Sequence, residues 1–499
     1  MSAAPVFAAT YYVANNGSNA NDGSAGNEWK TISYGISRLQ SGDTLIVRNG
    51  TYSGLSNFIT GIPSGTSGNF TTVMAETPFG VRIVNSGSLG YDDLFLEAIG
   101  QYIHVDGFIF DHTNSTYPPF TGGISGQHVK LTRSAFRREG PQDDYGGWLA
   151  VSGSYNLVED VAGVGAARYG FYTGGTGSTD QYIIFRRVVG RLDYQETSQP
   201  KSTFVHYGNN STPVSHDIVY QNCIALDSNQ PDYDGGSDGY KNGGIKVIKT
   251  ASNDIISGSI VLNERLEYQA VLLEGKNNRL ENTVIWDNRR GNYGTVRPVA
   301  YKVSSGFTSP PHNSIVTNVT AGQNQDSTRD NTSPTDQNYL LVPDDYPQNS
   351  GNKAVILKRI GVAGTFYGDP GWDTVTNEDL WPWIYEDEIK ALFAKSNPTP
   401  SGYTPPGNNA ARGFASKANG LYGGEITLTS YIWEYLGNAC PGNLCTKDPV
   451  PIGSDSGTTI EDIESGKRSG LVAPDILLLF TALLIYRFLR QVNARIRIV

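Results

Sequence analysis

The chain is poor in several residues on which common function classes depend. It has two methionines, three cysteines and six histidines among 499 residues. Basic residues are outnumbered, with 38 Lys and Arg against 48 Asp and Glu and a net charge of −10. A nucleic-acid surface needs a basic footprint, so nucleic acid is excluded as the expected partner. An acidic polymer is still admissible if a divalent cation or a local Lys/Arg cluster neutralises it. No G-x-S-x-G sequence sits at a strand-to-helix turn, and the histidines (His104, His112, His128, His206, His216, His312) have no obvious partners in sequence, so a nucleophilic triad is not expected. Cys440 and Cys445 in "CPGNLC" have no second Cys or His pair to complete a metal site. A short disulfide between them, formed in an oxidising compartment, is the expectation. Two-residue Asn-Gly-type turns between strand-like runs are scarce, which disfavours a hairpin-built sandwich.

What is abundant is glycine (58) and tyrosine (29). Two interleaved strand series fill the middle of the chain. The first reads "YIHVDGFIF", "HVKLTRSAF", "YNLVEDVAG", "YIIFRRVVG", "HDIVYQNCI", "NDIISGSIV", "NRLENTVIW" and "NSIVTNVTA". The second reads "WLAVSGS", "GFYTGGT", "TFVHYGN", "GIKVIKT", "AVLLEGK" and "VAYKVSSG". Apolar and polar residues alternate, as in half-buried strands. Each unit therefore contains one strand, a short polar turn, a second strand and a longer loop. The unit is about 25 residues long where no insertion intervenes, within the range of solenoid coils. The predicted fold is an all-β, right-handed parallel β-helix of about nine or ten coils.

The opening, "YYVANNGSNANDGSAGNEWKTISYGISRLQSGDTLIVRNGTYSG", resembles the N-terminal cap of extracellular right-handed β-helix proteins. The resemblance places a short helix at residues 32–39 and a turn at Gly42-Asp43-Thr44 into the first strand. It implies architecture more than chemistry, since one scaffold serves many activities. The expected organisation is a signal-peptide remnant (1–9, ending in "VFAA"), cap and first coil (10–60), β-helix (61–365), C-terminal cap shielding the last coil (366–448), linker (449–470), transmembrane or sorting helix (471–489) and basic tail (490–499). Trp372, Trp381 and Trp383 are expected to pack in that cap. The apolar run "LVAPDILLLFTALLIYRFL" is just long enough to span a bilayer, and the arginines after it favour a cytoplasmic end. Its order resembles bacterial C-terminal sorting signals. The implied location is secreted and anchored at the bacterial cell surface, with the membrane as a partner through that helix.

The loop before the second strand carries a tyrosine in unit after unit: Tyr145, Tyr169, Tyr194, Tyr240, Tyr268 and Tyr293. Stacked coils would align them along one edge. They form either a sugar-binding groove or a ladder that serves stability. On the same edge lies "DYDGGSDGYKNGGIKVIKT", residues 232–250, inside the longest insertions. Asp232, Asp234 and Asp238 offer clustered oxygen ligands of the kind calcium takes. If Ile245 and Val247 face inward, alternation turns Lys246 outward, and the cost of burying a lysine favours an exposed one. His206 lies on the preceding coil, and Arg265 and Arg289 on those that follow.

An acid cluster beside a lysine on this scaffold resembles the polysaccharide lyases that share it. The resemblance implies Lys246 as base with Lys241 as substitute, Arg289 among the cations near it, and calcium held by Asp232, Asp234 and Asp238. It also implies an acidic polysaccharide bound by the tyrosines, His206 and Arg265. A solvated Asp-Gly turn with surface lysines is the other reading of the same residues. Two rival functions stay open. One is a non-catalytic surface protein that holds exopolysaccharide. The other is a glycoside hydrolase with paired carboxylates drawn from Asp143, Asp144, Asp193 and Glu196.

Overall fold

A computed structural model describes residues 8–113, 118–139, 146–175, 179–193, 201–208, 215–228, 243–266, 269–286, 289–290, 299–303, 313–322, 358–395, 413–416 and 426–435. Its body is a parallel β-helix. Three all-parallel sheets run along it, of eleven, ten and eight strands, and each sheet adds its strands in chain order. The first sheet runs from Thr10–Val13 to Ile315–Thr317, the second from Gly50–Ser53 to Thr320–Gly322, and the third from Leu96–Ala98 to Val299–Val303.

The expected coil of two strands is corrected to three. The first strand series conceals two strands each, because the corner between the first and second sheets is only one or two residues long. In "YIHVDGFIF" the strands are Gln101–Asp106 and Phe108–His112, with Gly107 alone between them at φ 89°. The same corner is Arg133, Asp160, Arg187, Asn222, Gly258, Asn282 and Asn318 in later coils, all at positive φ. So short a bend leaves no Gly/Pro cluster in sequence to mark it.

The N-terminal cap has the expected form. Helix α1 (Ile32–Ile36) buries Ile32 and Ile36, and Trp29 stacks on Tyr11 at 5.0 Å. Gly42 sits at φ 88°, and Asp43 accepts the N–H of Ala9 at 2.8 Å and of Gln40 at 2.7 Å. That carboxylate ties the first strand to the turn.

The interior holds one continuous apolar cluster with stacked rings, such as Phe110 on Phe136 (5.0 Å), Phe171 on Phe204 (5.3 Å) and Phe185 on Tyr220 (5.3 Å). Trp148 is fully buried there. Its ring occupies space that three glycines leave open. A Cβ on Gly163 would collide with Trp148 Cε3, one on Gly170 would lie 2.5 Å from Cζ3, and one on Gly190 3.0 Å from Cζ3.

Residues expected to cap the last coil lie along the flanks instead. Leu380, Trp381, Trp383, Phe414, helix α2 (Glu386–Lys395) and helix α3 (Leu428–Tyr435) cover the outer face of the second sheet, against Ala162, Val189, Ile224, Leu226 and Leu262. These outward positions are apolar and need cover. Arg191 donates to Phe393 O at 2.8 Å, and Asp227 accepts Phe414 N–H at 2.9 Å, so polar contacts fix the docking. Phe366 covers Leu157, Ile184 and Val219 on the first sheet. Trp381 and Trp383 are buried in this packing, and Trp372 packs on Tyr367 at 4.2 Å. Among the described residues no helix is long and apolar enough to cross a membrane. Residues 471–489, and the Cys440–Cys445 pair, lie outside the described residues.

Overpacking a filled interior costs about 1–3 kcal/mol. Gly163→Ala is therefore expected to destabilise the protein by about that much in urea unfolding. In the background of Trp148→Leu the same change should cost little. Equal costs in both backgrounds would show that the tryptophan does not set the requirement for glycine.

Candidate functional site on the outer face of the third sheet

The third sheet bends where two consecutive residues of one strand both face inward. Trp148 with Leu149, and Ala270 with Val271, belong to the interior cluster. The residues before and after each such pair are left on the outer side. Two outward columns result. One contains Gly147, Tyr169, Ser202, Gly243 and Gln269. The other contains Ala150, Tyr172, Val205, Lys246 and Leu272, register partners from strand to strand.

At one end of this face three rings form a stack. Tyr172 lies 5.6 Å from Phe120 (26°) and 5.5 Å from Tyr169 (3°). The Phe120 ring leans over Gly147, where a Cβ would collide with it. The Arg168 guanidinium sits 4.6 Å above the Tyr169 ring and donates to its hydroxyl at 3.1 Å. Phe120 and Tyr172 are half-buried and Tyr169 is buried. Burial pushes both tyrosine hydroxyls above their ordinary value, so they stay protonated hydrogen-bonding groups.

Further along, Lys246 leaves the interior as alternation requires, but it is only 1% exposed, which corrects the expectation of an exposed lysine. Alternation fixes a face, and this face is itself covered: Val205 and Leu272, its register neighbours, are 0% and 1% exposed. The lysine stem folds into the gap at Gly243, where Cε would lie 2.6 Å from a Cβ. Gln269 follows Gly243 in its column and is fully buried. Among the described residues, neither Oε1 nor Nε2 of Gln269 has a hydrogen-bond partner. Sequence reasoning missed this residue by attending to Tyr268 beside it. The available signal was its alignment with Ser202 and Gly243.

His206, expected to bind substrate, faces the interior. It is one residue beyond Val205, on the opposite face of the strand. Its Nδ1 pairs with the Asp254 carboxylate, and its Nε2 lies 3.0 Å from Ser215 Oγ. The Ser215 hydroxyl donates to Asp180 O at 2.8 Å. All three side chains of this Asp-His-Ser group are 0% exposed, so no polymer reaches them and the group ties coils together.

Of the remaining expected site residues, Arg265 and Arg289 have described backbones only, paired in a two-stranded parallel sheet. Lys241, Asp232, Asp234, Asp238, Tyr145, Tyr194, Tyr240, Tyr268 and Tyr293 lie outside the described residues. Among the described residues no group of three or more His, Cys, Asp or Glu is placed to hold a metal ion. Of the hydrolase candidates, Asp193 is committed to Arg191 through two hydrogen bonds of 2.9 and 3.1 Å. Asp143, Asp144 and Glu196 lie outside the described residues.

No family model matches the chain. No curated protein matches it. Among solved structures it is similar to pectate lyase Pel9A (18% identity, 63% of this chain and 78% of that one, TM-score 0.39). It is also similar to an alginate lyase from Paenibacillus sp. str. FPU-7 (11%, 63% and 99%, TM-score 0.35). A mannuronic acid specific polysaccharide family 6 lyase from human gut microbiota is a third (13%, 64% and 66%, TM-score 0.38). At these TM-scores the likeness is one of general form and carries no chemistry.

Burial raises the Asp254 carboxyl above its ordinary value, and the His206 pairing opposes this. A group raised by folding stabilises fully below its unfolded value, about 3.9, and loses that contribution as pH rises through the folded value. Asp254→Asn keeps an oxygen for Ile218 N–H, now accepted at 2.8 Å. Its stability should gain on the parent as pH rises from about 4 to 7. Urea unfolding across that range checks this, and parallel pH profiles would refute it.

Proposed function

We propose that the protein binds a uronate-containing polysaccharide along the outer face of the third sheet and cleaves it by β-elimination, with Lys246 as the base. The observation that carries the reading is a lysine held out of water on the same outward face as a half-buried aromatic stack. Phe120, the half-buried ring at the end of the stack, offers flat apolar surface for a sugar ring, and Arg168 adds charge at the stack's other end. The C5 proton of a uronate is acidic enough to remove only when the adjacent carboxylate is neutralised. Lys246 Nζ takes that proton, the C4–O bond breaks, an unsaturated uronate forms, and the leaving oxygen takes a proton from water.

Asp232, Asp234 and Asp238 are the residues that would hold a calcium ion, through the hard carboxylate oxygens it favours. When bound, calcium would supply the neutralising charge. Lys241, Arg265 and Arg289 are proposed to line the same edge. Tyr145, Tyr194, Tyr240, Tyr268 and Tyr293 would extend the sugar-binding surface. The proposed setting is the bacterial cell surface, with residues 471–489 as the membrane anchor and Cys440–Cys445 as a disulfide.

A second reading is binding without catalysis, favoured by the apolar register neighbours of Lys246, Val205 and Leu272. The test is to supply a panel of uronate polymers to the purified protein while titrating calcium and following absorbance of the unsaturated product. Lyase activity is expected to fall by about 10²–10⁴-fold in Lys246→Met, which preserves the apolar stem. Binding with no absorbance change on any polymer would replace the lyase reading with the binding one.

A further inference from the structure

The exits from the third sheet follow one pattern, and the coil of Lys246 breaks it. In four described coils two residues lead from the third sheet to the first: Ile99-Gly100, Ser125-Gly126, Ser152-Gly153 and Glu274-Gly275. The second is always glycine, and Gly153 and Gly275 sit at φ 92° and 84°. In the coil of Lys246 the exit has four residues, Ile248 to Ala251, between Val247 and Ser252. Lys249 takes φ 64° there, the one non-glycine residue in the left-handed region among the described residues of these exits. That conformation is unfavourable for a lysine, because only glycine, and to a lesser degree Asn and Asp, visit it routinely. Backbone held in such a state is a mark of functional sites.

Its surroundings hold the side chain in place. The Glu274 carboxylate, on a residue 2% exposed, accepts the Lys249 N–H at 2.6 Å. The Lys249 Nζ lies 4.3 Å from the centroid of the Tyr207 ring. Tyr207 follows His206 and so returns to the outer side of the third sheet, beside its register partner Ile248. Unlike Lys246, Tyr207 and Lys249 are only half-buried, so both meet solvent. The ring restrains a long, flexible stem, and the charge at its tip has less freedom to lose when it pairs with a ligand.

We infer that Lys249 and Tyr207 form an anion subsite that takes the carboxylate of one uronate unit of the bound polymer. This rests on the polysaccharide reading above and deepens it, but it does not depend on Lys246 being the base. Lys249 lies three residues beyond Lys246, about 10 Å along an extended strand, and the Lys246 stem folds the other way, toward Gly243. The two lysines therefore serve different sugar units. The Lys249 ammonium donates to a carboxylate oxygen in a charge-assisted hydrogen bond, and the Tyr207 ring borders the sugar. A neutral hexose offers hydroxyls but no anionic acceptor, so it forfeits the stronger bond.

The test titrates the full chain by calorimetry with oligomers of galacturonate, guluronate and mannuronate, and with the matching neutral hexose oligomers. Each titration is repeated for Lys249→Gly and Lys249→Gln, with thermal unfolding of all three proteins. The parent is expected to bind one uronate oligomer at least about 10-fold more tightly than its neutral partner. Lys249→Gly should lose about 10-fold in uronate affinity, keep neutral-oligomer binding within about 2-fold and unfold at no lower Tm, since glycine suits this φ. Lys249→Gln, which keeps the stem without the charge, should lose the same uronate affinity, and it answers the question if the glycine variant does not fold. Uronate affinity kept within about 2-fold in both variants overturns the subsite, makes the lysine a tie between coils, and leaves the polysaccharide reading standing. Equal binding of uronate and neutral oligomers by the parent overturns it too. A parent protein that binds none of the oligomers overturns the polysaccharide reading, and the subsite falls with it.

Discussion

From Tyr102 onward each coil turns into its first strand through one residue in the left-handed region, and the rest of the architecture depends on that corner. The residues are Tyr102, His128, Tyr155, Tyr182, Asp217, Asn253, Asn277 and Asn313, with φ between 51° and 59°. None is glycine, and the left-handed conformation costs a non-glycine residue about 1–2 kcal/mol. Repetition offsets the cost. Tyr102, His128, Tyr155 and Tyr182 stack face to face at 4.8, 5.1 and 4.7 Å. Aromatic pairs of this kind contribute about 0.5–1.5 kcal/mol each beyond the area they bury. Further along, Asn277 donates to Asn253 at 3.2 Å, and asparagine is the side chain best suited to this region. A corner repeated in register keeps each strand directly above its predecessor.

That register also determines the outward face. In the column of Gly147 and Gly243 a missing side chain recurs, and each time a neighbouring outward residue folds into the gap: Phe120 over Gly147 and Lys246 into Gly243. Glycine here serves close approach rather than backbone freedom, since neither position adopts a positive φ. The aromatic stack and the sheltered lysine are thus two outcomes of one device, set on different coils of the same column.

The parts that were legible in the sequence are those that obey a period. The runs beginning at Tyr102, His128, Tyr155 and Tyr182 start on the corner residues themselves, and the six runs of the second series all fall in the third sheet. Alternation also turned Lys246 away from the interior correctly. What failed is what no period encodes. The second sheet was hidden because its entry corner is only one or two residues long. The burial of Lys246 depends on what covers the outer face, and the pairing of His206 with Asp254 joins residues 48 apart. A structural ladder was one reading of the tyrosine row before the third sheet. The stacked ladder that the structure describes is on the first-sheet corner, built from residues read only as strand starts.

The outer faces of the three sheets are covered in different ways. On the first sheet, Arg186 donates to Glu159 at 3.1 Å, to Val362 O at 2.8 Å and to Trp372 O at 3.0 Å, and Gly364 N–H donates to Glu159 at 2.8 Å. Buried charges of both signs are tolerable there because the overlying segment satisfies their remaining hydrogen-bonding groups. On the second sheet the outward residues are apolar, and helices α2 and α3 bury them. Both faces are committed to holding the C-terminal segment. The third sheet differs: its outward residues include half-buried rings, a buried lysine set between apolar neighbours, and a buried amide without a hydrogen-bond partner among the described residues. A sequence optimised only for folding would not leave Gln269 in that state, since leucine fills similar space without the desolvation cost. That cost falls on the sheet against which none of the described C-terminal segments packs.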